Sequence, residues 1–118
     1  MTSYPAIRLF IGGKWLQSRD HLPIVNPADE SQIGLLPVAC QGDLDNAVSA
    51  AQEGFRIWSG TAPVERSRII LKAAQLMRDR HEEIARSITL ELGKPIRQSR
   101  LEVIRGSHSF SAGSCTVI

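Results

Sequence analysis

A chain of 118 residues is long enough for one small core, and 42% apolar with 22% charged residues excludes disorder throughout. The net charge of +2 is split: residues 1–62 hold four basic and six acidic side chains, net −2, and residues 63–105 hold ten and six, net +4. The basic half does not read as a nucleic-acid surface, because Arg66, Arg68, Lys72, Arg78, Arg80 and Arg86 alternate with Glu65, Asp79, Glu82 and Glu83, the pattern of a solvated helix face. No apolar run approaches the ~20 residues needed to cross a bilayer, and residues 7–11 are too short and too interrupted by Arg8 for an export signal. A reducing cytoplasm is the expectation, with Cys40 and Cys115 as free thiols. His21, His81 and His108 are too scattered to hold zinc.

The first forty residues read as strands. Residues 7–11 are β-prone, Gly12-Gly13 is a two-residue turn, and Lys14-Trp15-Leu16 starts a return strand. Residues 22–25 make a second extended piece. Pro27 fixes a turn after Asn26, and residues 32–38 form a third strand that Pro37 confines to an edge. After Gly42 the period becomes helical. Leu44, Ala47, Val48, Ala51, Phe55 and Trp58 share one face, and Asp43 and Asp45 sit in the first turn. Ser59-Gly60 ends this helix and Pro63 opens the next, whose apolar side carries Ile69, Ile70, Ala73, Ala74, Leu76 and Met77. A third helix from about Glu82 carries Ile84, Ala85, Ile88 and Leu92, and stops at Gly93 ahead of Pro95. A fourth carries Ile96, Leu101 and Ile104. It is expected to fray near Gly106, because residues 106–115 include four serines and two glycines, poor helix formers.

The resulting organisation is one incomplete α/β domain over 1–118: strands and hairpin at 1–40, helices at 43–105, an irregular tail at 106–118. Short strands need packing support, and the helices have apolar faces without the sheet they would normally cover. Both features point to a fragment whose exposed faces favour self-association.

Four stretches carry a family resemblance. They are Phe10-Ile11-Gly12-Gly13-Lys14-Trp15; Val25-Asn26-Pro27-Ala28 with Ile33-Gly34; Asp43-Leu44-Asp45-Asn46-Ala47-Val48 through Phe55 and Trp58 to Glu65-Arg66-Ser67; and Thr89-Leu90-Glu91-Leu92-Gly93-Lys94-Pro95 ahead of Glu102. In this order and spacing the chain resembles the N-terminal part of the NAD(P)-dependent aldehyde dehydrogenases, leaning to succinate-semialdehyde members. The resemblance implies a piece of the cofactor-binding domain. In the complete enzyme it implies a cysteine nucleophile, hydride transfer to NAD or NADP, a glutamate that activates water, and an oxyanion held by an amide and an asparagine. The family's counterparts of those groups lie further along. No catalytic, cofactor-binding or metal residue is therefore expected here, no cofactor is expected on this chain alone, and an aldehyde is a partner only for a complete enzyme. Gly113-Ser114-Cys115 looks like the lead-in to the nucleophile but comes too early. Cys40, just after a strand, reads as a small packing residue. The resemblance also implies one cation site, with main-chain oxygens at the positions matching Ile24 and Val25 and an acid at the position matching Glu91. Each motif otherwise reads as structural: turns at Gly12-Gly13 and Asn26-Pro27, packing at Phe55 and Trp58, and dipole complementation at Lys94. The alternative reading is a small non-catalytic interaction protein on the same scaffold, with the serine-rich residues 107–111 departing from the family pattern.

Overall fold

The computed structural model describes residues 4–115, with the side chains of 113–115 left out; the expectations on Cys115 and on residues 116–118 fall outside the described residues. In chain order the elements are β1 (Leu9–Ile11), β2 (Lys14–Leu16), β3 (His21–Val25), β4 (Gln32–Pro37), α1 (Gln41–Ser59), α2 (Pro63–Asp79), α3 (His81–Leu92) and α4 (Ile96–Cys115). They fall into two compact units divided between Gly60 and Thr61. No helix among the described residues is long and apolar enough to cross a membrane.

The first unit holds two antiparallel strand pairs and α1. Gly12 (φ 57°) and Gly13 (φ 77°) both take the left-handed conformation, which lets a two-residue turn follow the strand twist. This registers Phe10 against Trp15, with ring centroids 4.7 Å apart and planes tilted by 48°. The second hairpin pairs Ile24 with Gly34 and Val25 with Gln32, with an irregularity between Ile24 and Val25. In a two-stranded ladder every strand has an open side, so Pro23 and Pro37 both fit despite lacking an N–H. The turn between them is closed by side chains. Asn26 Oδ1 accepts from the Ala28 amide at 3.0 Å, and Asp29 Oδ1 accepts from both the amide and the hydroxyl of Ser31. Gly34 is required by its neighbour, since a methyl group there would come within 2.7 Å of the Tyr4 ring.

The α1 helix starts with a reciprocal cap, the Asp43 carboxylate accepting from the Cys40 amide at 2.9 Å. Cys40 is exposed at this helix start rather than packed, a correction to the sequence reading, because its place is set by the capping contact and not by a core. The packing expected of Phe55 and Trp58 is corrected as well. The helix leans on β1, with Asp43, Ala47 and Ala50 half-buried, and leaves Leu44, Val48, Phe55 and Trp58 exposed. Helical periodicity identifies a stripe that gains from burial; it does not supply the surface that buries it.

The second unit is three helices, with α4 packed on both α2 and α3. Its centre is built from small side chains: Ala74 of α2, Ala85 of α3, and Ser99, Val103 and Ser107 of α4 are all buried. Small residues let backbones approach closely, so hydroxyls must be satisfied locally. Ser99 Oγ lies 2.9 Å from Thr89 Oγ1, and Ser107 Oγ donates to the Ile104 carbonyl at 2.8 Å. The Ile69, Leu76, Leu92, Leu101 and Ile104 side chains, on the helices' apolar sides, are exposed. Helix α3 ends at Gly93 in the left-handed conformation (φ 67°), its amide donating to the Thr89 carbonyl at 2.9 Å.

The fourth helix corrects the irregular tail expected from residue 106 as far as residue 115, since α4 runs through Gly106 to Cys115. Tertiary packing overrides propensity here. A Cβ at Gly106 would meet the Met77 terminal methyl at an ordinary contact distance of 3.5 Å, so this turn of α4 lies against α2. The serines bond back to the helix, Ser109 to the Arg105 carbonyl and Ser111 to the Ser107 carbonyl, and Arg78 reaches Ser111 Oγ at 3.5 Å.

Candidate functional site

The positions matching the cation site fall in different units. Ile24 and Val25 are consecutive residues of β3, the first half-buried and the second exposed. Glu91 is exposed near the end of α3. No cluster of three or more His, Cys, Asp or Glu side chains suited to a metal ion occurs among the described residues.

Two ion pairs tie α4 to the residues before it. Glu82 at the start of α3 receives a two-pronged bond from Arg100 of α4, Nε to Oε1 at 2.7 Å and Nη2 to Oε2 at 2.9 Å. This matches the planar fork of a guanidinium to a carboxylate. His81 Nε2 lies 3.3 Å from the same carboxylate. The Arg100 hydrogen bonds hold Glu82 below its ordinary value of 4.5, against a smaller opposing effect of desolvation. Lys94, read as a helix-dipole cation, pairs with Glu102 of α4 at 2.8 Å and so staples the α3–α4 connection to the next helix. This pair edges a shallow depression of about 330 Å³ lined also by Gln98, Leu101 and Arg105. In the Glu65-Arg66-Ser67 stretch, Glu65 pairs with Arg68 at 3.0 Å, and the buried Arg66 Nε meets no acceptor among the described residues.

The sign of the Glu82 effect follows from its lowered value. A carboxylate whose folded-state value is depressed stabilises the fold above its ordinary value and loses that contribution as pH falls through the folded one. Replacing Glu82 with glutamine is therefore expected to lower stability at neutral pH and to flatten the decline on acidification below pH 4.5. Far-UV circular dichroism melts across an acid series read this. An unchanged acid limb in the variant would remove the pair from the account. Both partners are substantially exposed, at 43% and 51%, so salt weakens the effect.

In the first unit a cavity of about 520 Å³ lies between residues 4–8 and the hairpins, with Tyr4, Arg8, His21 and Gly34 among its lining. Cys40 lies elsewhere, its amide and thiol both hydrogen-bonded to Asp43, which holds that carboxylate below its ordinary range. The sequence reading missed the Thr89–Ser99 hydroxyl pair and the Glu82–Arg100 fork. The i, i+4 recurrence of Ser99, Val103 and Ser107 was the available signal for the first, and only tertiary proximity reveals the second.

Against known proteins, the model of the aldehyde dehydrogenase family matches residues 15–114. Malonate-semialdehyde dehydrogenase 1 of Geobacillus thermodenitrificans is 37% identical over 121 residues, covering 99% of this chain and 25% of that protein. The human mitochondrial methylmalonate-semialdehyde/malonate-semialdehyde dehydrogenase [acylating] is 36% identical over 107 residues, 89% of this chain and 20% of its own length. Among solved structures, the NAD-dependent benzaldehyde dehydrogenase of Corynebacterium glutamicum superposes with a TM-score of 0.89 at 29% identity, over 98% of this chain and 26% of that one. PnpE in complex with nicotinamide adenine dinucleotide gives 0.86 at 34% identity, over 91% and 23%. The chain spans about a quarter of the length of the relatives it matches. A match over residues 15–114, joined by the same strand-then-helix architecture in the solved relatives, places the chain in the aldehyde dehydrogenase family, as a counterpart of its N-terminal part.

Proposed function

We propose that this chain supplies the N-terminal scaffold of an NAD(P)-dependent enzyme that oxidises a short aldehyde bearing its own carboxylate, and that it does not turn over by itself. The observation carrying this reading is the identity of more than a third with malonate-semialdehyde dehydrogenases over nearly the whole chain. It supports a dicarboxylate-derived semialdehyde as substrate class, of the malonate type where the sequence motifs leaned to the succinate type. NAD is favoured as cofactor by the solved relatives whose names carry it. In this reading the chain contributes no catalytic, cofactor-binding or metal residue. Its polar pairs hold α3 and α4 in place, and the chemistry belongs to segments of the family beyond the matched span. A cytoplasmic setting without nucleic acid accords with the mixed-sign helix faces. The exposed apolar side chains of both units support association with another protein surface.

Two measurements test this. With NAD and malonate semialdehyde, the pure chain is expected to give a flat NADH absorbance trace; sustained NADH formation would contradict the scaffold reading. Exchanging the corresponding segment of a malonate-semialdehyde dehydrogenase for this chain is expected to preserve NADH production. A folded chimera without activity would count against it.

A further inference from the structure

Arg66 stands near the start of α2 and is half-buried. Its Nε is closed to water and meets no acceptor, the only buried side-chain nitrogen or oxygen left so among the described residues. Other arginines of the helix are served locally: Arg68 pairs with Glu65 at 3.0 Å, and Arg78 donates to Gln75 Oε1 at 2.8 Å. A buried donor without a partner is costly, and native structures rarely keep one. Arg66, Ile69, Ala73 and Leu76 follow at offsets of three, seven and ten residues, so they form one strip along the helix. The strip borders the packed side, where Ala74 is buried, yet Ile69 is 56% and Leu76 43% exposed. An orphaned donor and uncovered apolar side chains therefore lie together. In the solved benzaldehyde dehydrogenase this architecture makes up 26% of the chain, and in the malonate-semialdehyde relative the matched span is 25%, so the larger part of each lies outside it.

We propose that this strip of α2 is a docking face for a segment of an aldehyde dehydrogenase chain outside the matched span, and that the segment brings an oxygen acceptor to Arg66 Nε. The proposal rests on the scaffold reading above and names the surface and what it receives. The half-exposed Arg66 side chain turns on its stem to meet the incoming oxygen, while Ile69 and Leu76 lose their water against the segment's apolar atoms. The full chain by itself draws no stability from Nε; the longer protein does.

Arg66→Lys addresses the atom directly, because lysine keeps the charge and carries a methylene where arginine carries Nε. Thermal melts are compared between the full chain and the chimera in which this chain replaces the corresponding segment of a malonate-semialdehyde dehydrogenase. In the full chain the variant is expected to melt within about 1 °C of the parent, and in the chimera about 2 °C or more below it. Ile69→Ser is expected to show the same contrast. Arg68→Lys, whose pair with Glu65 is internal to α2, is expected to act alike in both settings. Equal losses from Arg66→Lys in chain and chimera, or none in either, would overturn the docking face. So would a chimera that melts no higher than the chain, since nothing outside the matched span would then support α2. An Arg66→Lys loss in the full chain that grows with protein concentration would give the face to a second copy instead, and overturn the proposal. A folded chimera without NADH formation, in which Arg66→Lys still lowers the midpoint, would keep the docking face and sink the scaffold reading alone.

Discussion

Val103→Asp is expected to unfold the helical unit at ambient temperature, with loss of most of the signal from α2, α3 and α4 in far-UV circular dichroism. Val103 is 3% exposed, and its neighbours in the core are Ala74, Ala85 and two serines. The buried hydroxyls of Ser99 and Ser107 already have partners, Thr89 for the first and the Ile104 carbonyl for the second. A carboxylate there would have to stay charged without a partner or take up a proton, a cost of about 3 kcal/mol or more. A unit this small has only a few kcal/mol of net stability. Val103→Ala separates loss of packing from burial of charge, with an expected cost of about 2 kcal/mol and retention of the folded state at low temperature. An aspartate variant that melts like the alanine variant would show that position 103 opens to water.

Gly93→Val carries the next largest effect. The glycine holds φ 67° where α3 stops, and its amide closes on the Thr89 carbonyl. An L residue in this conformation costs roughly 1–2 kcal/mol, with β-branched side chains at the upper end. The thermal midpoint of the helical unit is expected to fall by on the order of 10 °C. Gly93→Asn, which tolerates the conformation better, is expected to lose less than half of that. Equal midpoints for the two variants would show that the turn has rearranged. The functional weight of this position lies in what it aims: Lys94 follows directly and pairs with Glu102, so a displaced turn releases the staple between α3 and α4.

The features legible in the sequence were those decided within a few residues. Gly12-Gly13, Gly93 and Pro63 each answer a local backbone requirement, and the structure uses all three as read. The aldehyde dehydrogenase resemblance was legible for a related reason, since its motifs are chiefly turns and helix ends with fixed spacing. What escaped was decided between distant segments. Gly106 and the serines after it discourage a helix in isolation, yet contact with Met77 and Arg78 continues α4 through them. The Leu44–Trp58 stripe was visible as a stripe, but the side of α1 that meets β1 is the one carrying Ala47 and Ala50. A small apolar residue after a strand usually packs, so Cys40 reads as a packing residue, whereas the Asp43 cap leaves no periodic trace. As to site chemistry, the positions marked for a cation fall in the two different units, and of the motif charges Lys94 pairs with Glu102 of α4.

The division at Gly60 also sorts the chromophores. Trp15, Trp58 and Tyr4 all precede it, and Phe110 is the sole aromatic side chain after it. Indole emission therefore reports directly on the strand-and-α1 unit alone, while ellipticity is dominated by the helices of both. Melting curves recorded by the two signals on one sample measure how far the units unfold together. Coincident curves would mean one cooperative transition, and separated curves would give each unit its own stability from a single unlabelled protein.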